Sequence, residues 1–300
     1  MLFPKSLKIG DTIAIISTAR KVTTTELAPS IAIIKSWGFK VVLGKTIEAE
    51  SNQFAGDDAL RTADLQAAMD DDSIAAIWCA RGGYGTVRIV DGLDFTKFKK
   101  HPKWIIGYSD VTVLHNHLCA QGVASIHGQM CLELDRKSQA SRETIKEILF
   151  GNFKGIHYAS NGENFGRNGN ATGTLIGGNL SVLYAILGSA SEVDFTGKIL
   201  FIEDLDEMLY HIDRMMQSLK RSGILGKISG LIVGGMNDMR DNTIAFGQTA
   251  NEIVSAAVSA YHYPVCYGFP AGHLNDNRAL IMGADVLLKV NGTECVLEYK

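Results

Sequence analysis

The chain has 300 residues, of which 46% are hydrophobic, and a formal net charge of −3. That supplies enough apolar residues for one large α/β domain or two ordinary ones. Acidic and basic residues are well mixed, so no basic stripe supplies the attraction behind nonspecific nucleic-acid binding, and no nucleic-acid partner is expected.

Five scattered cysteines, Cys79, Cys119, Cys131, Cys266 and Cys295, lack the spacing of a disulfide framework or a zinc knuckle. Buried free thiols in a reducing compartment are expected. The N-terminus carries no signal-peptide pattern, and no segment approaches the roughly 18 uninterrupted apolar residues of a membrane span. A soluble, cytoplasmic protein is the expectation.

Residues 12–16 read as a strand buried on both faces. A helix follows from Thr23-Thr24-Thr25-Glu26, with a stripe through Leu27, Ile31, Ile34 and Trp37 and a stop at Gly38. Residues 41–43 form the next strand, 57–69 the next helix and 74–78 the third strand. That strand runs into Arg81-Gly82-Gly83-Tyr84-Gly85, after which a helix carrying Val87, Ile89 and Val90 is predicted. Trp104-Ile105-Ile106 then leads into the turn Gly107-Tyr108-Ser109-Asp110, and Val111, Val113, Leu114 and Leu118 set a helical pattern behind it. This rhythm predicts an α/β fold whose N-terminal part is a mostly parallel sheet flanked by helices. Such sheets bind ligands beyond the carboxyl ends of their strands, where the glycine-rich turn and Ser109 both fall.

Residues 152–170 are rich in turn formers. The expected division is an N-terminal domain at 1–151, a linker at 152–172 and a smaller C-terminal α/β domain at 173–300 with a β-rich end. Within the latter, 179–187 reads as a helix and 199–202 as a strand ending at Glu203-Asp204. The next helix has a stripe through Leu205, Leu209, Ile212, Met216 and Leu219, and 231–233 is a further strand. The tail reads as a hairpin with an Asn291-Gly292 turn.

Ser109 occupies a sharp strand-to-helix turn beside unpaired helix-start N–H groups. It reads either as a nucleophile or as a helix cap, and the turn alone leaves both open. The motif is not the usual GxSxG elbow, because Asp110 replaces the small residue. Gly82 and Gly83 could aim backbone N–H groups at an anion, and they match no nucleotide-binding fingerprint. With the N–H of Asp110 they could form an oxyanion hole. Glu203, at a strand end, could orient a histidine. Asp204 and Asp206 suit a helix N-terminus, and a metal site lacks a histidine at ligand spacing. His273, in a turn-rich loop, is the best candidate base. His127 could line the cleft or merely pack, and Arg81 and Tyr84 are candidate substrate contacts. Ser109, Glu203 and His273 together suggest a serine hydrolase.

These segments resemble the LD-carboxypeptidase family of serine peptidases. The resemblance rests on Gly10-Asp11-Thr12-Ile13, Arg81 to Gly85, Ile106 to Asp110, His127-Gly128, Gly177-Gly178-Asn179-Leu180, Phe201 to Asp204, and Gly272-His273 with Asn277 and Gly283. The chain departs from the family's prolines at Thr18 and Ile281. The resemblance implies a triad of Ser109, Glu203 and His273, a homodimer, and no metal or organic cofactor. It implies cleavage of the bond to the terminal D-alanine of cytoplasmic murein tetrapeptides, a step of cell-wall recycling. A small peptide is then the partner. The alternative within the family is a microcin-C-type immunity peptidase acting on aminoacyl-nucleotide amides. Alternatives of other classes are a catalytically silent muropeptide-binding protein and a nucleotide-dependent enzyme, the latter disfavoured by the missing phosphate fingerprints.

Overall fold

The computed structural model describes residues 1–159 and 166–300, and the expected turn cluster at 160–165 lies outside the described residues. The first sheet holds β1 (Thr12–Ile16), β2 (Lys40–Leu43), β3 (Ile74–Cys79), β4 (Trp104–Gly107) and β5 (Ser125–His127). The second holds β6 (Gly155–Ala159), β7 (Gly169–Asn179), β8 (Ile199–Leu205), β9 (Gly230–Asn237) and β10 (Val265–Cys266). Three strands close the chain: β11 (Leu280–Met282), β12 (Asp285–Asn291) and β13 (Glu294–Tyr299). The first sheet runs β11-β5-β4-β3-β1-β2, parallel except for β11. The second runs β10-β9-β8-β7-β12-β13-β6, parallel through its first four strands and antiparallel beyond.

Nine α-helices accompany the sheets among the described residues: α1 (Thr24–Ser36), α2 (Asp58–Asp70), α3 (Thr96–Lys100), α4 (Thr112–Ala120), α5 (Gln139–Phe150), α6 (Leu180–Ala185), α7 (Leu209–Arg221), α8 (Ile224–Lys227) and α9 (Ala250–Ala257). Local chemistry sets their starts. Thr23 and Glu26 form a reciprocal capping box on α1, and Thr249 and Glu252 do the same on α9. Asp57 accepts from the Leu60 N–H and so caps α2. An apolar cluster runs from Ile77 and Ile105 of the first sheet through Val113 and Leu114 of α4 and Leu183 of α6. It ends at Leu200 and Ile202 of β8, so the two sheets share a core. Ile13, Trp78 and Ile106 pack on the opposite face of the first sheet, against α1 and α5.

Several expectations shift. The segment after Gly85 forms two short 3-10 turns, Thr86–Arg88 and Val90–Gly92, in place of a helix. Gly92 and Asp94 leave too little uninterrupted chain for more. Leu205 belongs to β8, not to the helix stripe, because β8 passes a register shift after Ile202 and continues to pair with β9 at Leu205↔Asn237. In the tail, Asn291 stays in the ladder opposite Glu294, so the hairpin loop is Gly292-Thr293, one residue later than expected. Stretch 152–172 contains all of β6 and the start of β7. No described helix is long and apolar enough to cross a membrane.

His115, on α4, is sealed beneath β4 and β5. Its ring nitrogens lie 2.9 Å from the Gly107 carbonyl and 2.8 Å from Ser125 Oγ. Burial pushes its pKa down to about 4. The folded state therefore favours the neutral ring, and this stability is complete above the unfolded pKa. It is lost as pH falls from about 6.5 towards 4, by at most about 3 kcal/mol. Urea denaturation at pH 7.5 and 5 should show a smaller acid-side loss of stability in His115→Gln than in the parent chain. Equal losses would remove His115 as the cause.

Candidate active site

Ser109 follows β4 after one residue, Tyr108, and adopts a left-handed backbone, φ 58°. For a residue with a Cβ this conformation costs about 1–3 kcal/mol. A helix cap would sit in the extended region and accept an N–H bond. Ser109 does neither: Tyr108 and Val111 precede the two helical segments, and no side-chain cap bond forms. Asp110 is buried, and its carboxylate accepts from the N–H groups of Thr86 at 2.9 Å and Gly85 at 3.3 Å. It therefore caps the turn after Gly85, not the helix after Ser109. Burial raises the Asp110 pKa, against the pull of these hydrogen bonds.

The same clamp accompanies the approach of Gly82 to Ser109. A Cβ on Gly82 would lie 3.7 Å from the Ser109 Cβ and would collide with Met130. The N–H groups of Gly83 and Asp110 have no protein acceptor among the described residues.

Glu203 lies at the register shift of β8, opposite Asn179 of β7, and is fully buried. Its Oε2 accepts from the His273 Nδ1 at 2.6 Å and from the His273 backbone N–H at 3.1 Å. The Nδ1 proton thus points at the carboxylate, which leaves Nε2 as the free ring nitrogen. Gly272 makes the approach possible. Its φ is 104°, and a Cβ there would meet Glu203 Oε2 at 2.6 Å. Asn277 is sealed behind the loop and accepts from the Gly272 N–H at 2.8 Å. Burial alone would lower the His273 pKa, but the Glu203 charge, its hydrogen bond and the Asp204 charge outweigh it, and the pKa is raised. The Tyr108 ring packs on the imidazole with centroids 4.8 Å apart.

Ser109 and His273 both border a cavity of about 510 Å³, together with Arg81, Gly82 and Gly83. Glu203 lies behind His273 and does not reach the cavity wall. Two expected contacts are elsewhere. Tyr84 is exposed and packs near Phe54. His127 is sealed under the floor, edge-on to Phe201 and Tyr108, and neither ring nitrogen has a protein partner among the described residues. It ends β5 level with Gly107 of β4, at the carboxyl edge of the sheet, but its side chain is wholly buried and does not border the cavity.

The walls also hold residues that were not singled out as contacts: Arg20, Glu133, Asn179, Ser181, Asp204 and Asp206. Arg20 follows β1 and so lies at the carboxyl edge of the first sheet, a placement the strand pattern could have flagged. Asp204 accepts from Asn179 Nδ2 at 2.9 Å and from the Ser181 N–H at 2.8 Å. It therefore serves the start of α6, not that of the helix following it in sequence. Burial and the adjacent Glu203 push its pKa up to about 7. Among the described residues no group of three or more His, Cys, Asp or Glu side chains is placed to hold a metal ion.

Two family models match the chain: the LD-carboxypeptidase N-terminal domain over residues 13–128 and the LD-carboxypeptidase C-terminal domain over residues 172–288. The chain is 33% identical to a probable murein peptide carboxypeptidase of Bacillus subtilis, over 98% of this chain and 94% of the relative. It is 28% identical to the murein tetrapeptide carboxypeptidase of Pseudomonas aeruginosa, over 94% of each. The solved muramoyltetrapeptide carboxypeptidase of Oxalobacter formigenes superposes with a TM-score of 0.87 at 29% identity, covering 96% of this chain and 98% of that one.

A Gly272→Ala substitution should displace Glu203 from His273. The imidazole would then lose its raised pKa and titrate at or below the ordinary value of about 6.5. Histidine-selective NMR titration reads this directly; a still-raised pKa in a folded variant would show that the loop gives way without breaking the pair.

Proposed function

The chain belongs to the LD-carboxypeptidase family and is a serine-type carboxypeptidase, and from that premise we propose that it releases the terminal D-alanine of murein tetrapeptides through Ser109, His273 and Glu203. One observation carries the assignment of residues. A serine in a left-handed turn shares a cavity with a histidine whose Nδ1 is bonded to a fully buried carboxylate.

The chemistry follows from the protonation states. With the Nδ1 proton held by Glu203, His273 Nε2 carries the lone pair that accepts the Ser109 proton during attack on the scissile carbonyl. The imidazolium that results is stabilised by Glu203, which needs no proton of its own. The N–H groups of Asp110 and of Gly82 or Gly83 receive the charge that develops on the carbonyl oxygen. Losing one such donor typically costs about 3 kcal/mol of transition-state stabilisation. His273 then returns the proton to the leaving D-alanine nitrogen, and water resolves the acyl-enzyme by the same steps in reverse. We read residues 1–151 as the unit that carries the nucleophile and 173–300 as the unit that carries its partners.

The test is release of D-alanine from a purified murein tetrapeptide. Ser109→Ala should lower kcat by a factor on the order of 10⁴ or more. Equal release from the variant would sink the reading, and hydrolysis of an aminoacyl sulfamoyl adenosine in preference to the tetrapeptide would favour the immunity-peptidase alternative. The pH profile adds a signed prediction. His273 must be neutral to act as base, so kcat/KM should fall as pH drops through its raised pKa. Glu203→Gln should move that acid limb to lower pH while reducing the plateau.

A further inference from the structure

A carboxypeptidase of this type must hold the free carboxylate of the leaving residue. That group lies one residue beyond the scissile carbonyl, a separation of about 3.8 Å at most. The cavity wall offers two guanidinium groups, Arg20 and Arg81, and they are differently engaged.

Arg81 Nη1 donates to the Lys21 carbonyl at 3.1 Å. The residue also borders an adjoining hollow that contains Glu26, Glu48 and Glu50. The carboxyl of Glu26 is held low by its hydrogen bonds to Thr23 and, to a lesser degree, by the Arg81 charge. Arg81 is therefore turned in part towards acidic groups outside the cleft.

The backbone of Arg20 is tied down while its side chain is free. Its carbonyl accepts from Ser17 Oγ at 2.6 Å, and its N–H donates to the Gly82 carbonyl at 3.4 Å. The side chain then runs along Gly83. With φ at 108°, Gly83 leaves open the space that its own Cβ would take, 2.6 Å from Arg20 Cδ and 2.7 Å from Nε. The guanidinium has no acidic or carbonyl partner among the described residues. Gly82 adjoins Ser109, and its neighbour Gly83 adjoins the Arg20 side chain, so this cation and Ser109 border the same stretch of the cavity wall. A guanidinium matches a carboxylate with two parallel donors, which an ammonium does not.

We propose that Arg20 is the residue that recognises the free C-terminal carboxylate of the substrate, with Gly83 conserving the channel through which it reaches. The inference rests on the carboxypeptidase reading above. It makes Arg20 a specificity determinant for exopeptidase action and leaves Arg81 outside the carboxylate contact.

Two measurements separate this inference from the reading beneath it. The first compares hydrolysis of a tetrapeptide ending in D-alanine with one ending in D-alaninamide. The second measures binding of the same two peptides to the Ser109→Ala form by calorimetry, which needs no turnover. The parent chain should prefer the acid on the order of 100-fold, as expected for a charge-assisted hydrogen-bond pair. Arg20→Ala should bring acid and amide to within a few-fold of each other, Arg20→Lys should restore part of the preference, and Arg81→Ala should keep it. Retention of the preference in Arg20→Ala, or its loss in Arg81→Ala alone, would overturn the inference. Turnover that fails while an Arg20-dependent binding preference persists would fault the catalytic reading and leave Arg20 in place. No acid preference in either measurement would overturn the assignment of Arg20 outright.

Discussion

The geometry of the site depends on one buried seam between α4 and the end of β7. Helix α4 starts three residues after Ser109, and β7 ends at Asn179, the neighbour of Glu203 across the ladder. Thr112 Oγ1 accepts from the Asn179 N–H at 3.0 Å, and Asn116 Nδ2 donates to the Gly177 carbonyl at 3.1 Å. A Cβ at Gly178 would sit 2.5 Å from Thr112 Oγ1, so the seam closes only over a bare backbone. Each bond contributes about 1 kcal/mol net, but a buried partner left alone costs more, so the seam resists sliding. Ser109 from one sheet and Glu203 from the other are thereby held in a fixed relation. A loop contact could not hold them so well.

Electrostatics at the site is arranged around that fixed relation. Buried Glu203 places both of its hydrogen bonds from His273 on one carboxylate oxygen, Oε2, while Oε1 has no partner among the described residues. A second acid, Asp204, follows immediately in sequence, and two adjacent buried negative charges would oppose each other. The raised pKa of Asp204, about 7, lets it take up a proton near neutrality and so spares the site part of that repulsion. Its hydrogen bonds to Asn179 and Ser181 meanwhile tie it to the same strand end as the seam. The polar groups of the seam and those of the proposed triad thus form one connected patch.

Much of this was legible in the sequence, and the exceptions have physical causes. Short apolar runs located β1 to β4, of which β1, β3 and β4 are buried on both faces, and apolar stripes located α1 and the body of α7, which each bury one face. Strand β11 escaped because three residues carry no period, and its pairing partner, β5, is more than 150 positions earlier. Ser109 stayed ambiguous because caps and nucleophiles share the same local composition. The torsion angle of Ser109 and its lack of a cap bond speak against the cap. Asp110, the residue that breaks the usual elbow motif, turns its carboxylate to a loop 25 residues away. His127 was plausible as a cleft residue until the pleat of β5 put it beneath the floor. Arg20 could be placed at the right sheet edge, but only the course of its side chain over Gly83 set it apart from Arg81.

The clamp on the glycine turn accounts for how the strain at Ser109 persists. Three non-glycine residues that border the cavity, Ser109, Glu133 and Asp206, have left-handed backbones. Such torsions survive only where surrounding contacts over-determine them. At Ser109 those contacts come from both ends of one short turn. Arg61, whose side chain is wholly buried, donates to the Thr18 carbonyl at 2.7 Å and the Gly85 carbonyl at 3.0 Å. Asp110 accepts from the N–H groups of Gly85 and Thr86. Relaxing Ser109 to an ordinary backbone would swing Asp110 away and leave two buried donors unpaired, at roughly 1–3 kcal/mol each. That penalty is at least as large as the strain, so the unfavourable torsion is the lower-energy choice for the pair of residues taken together.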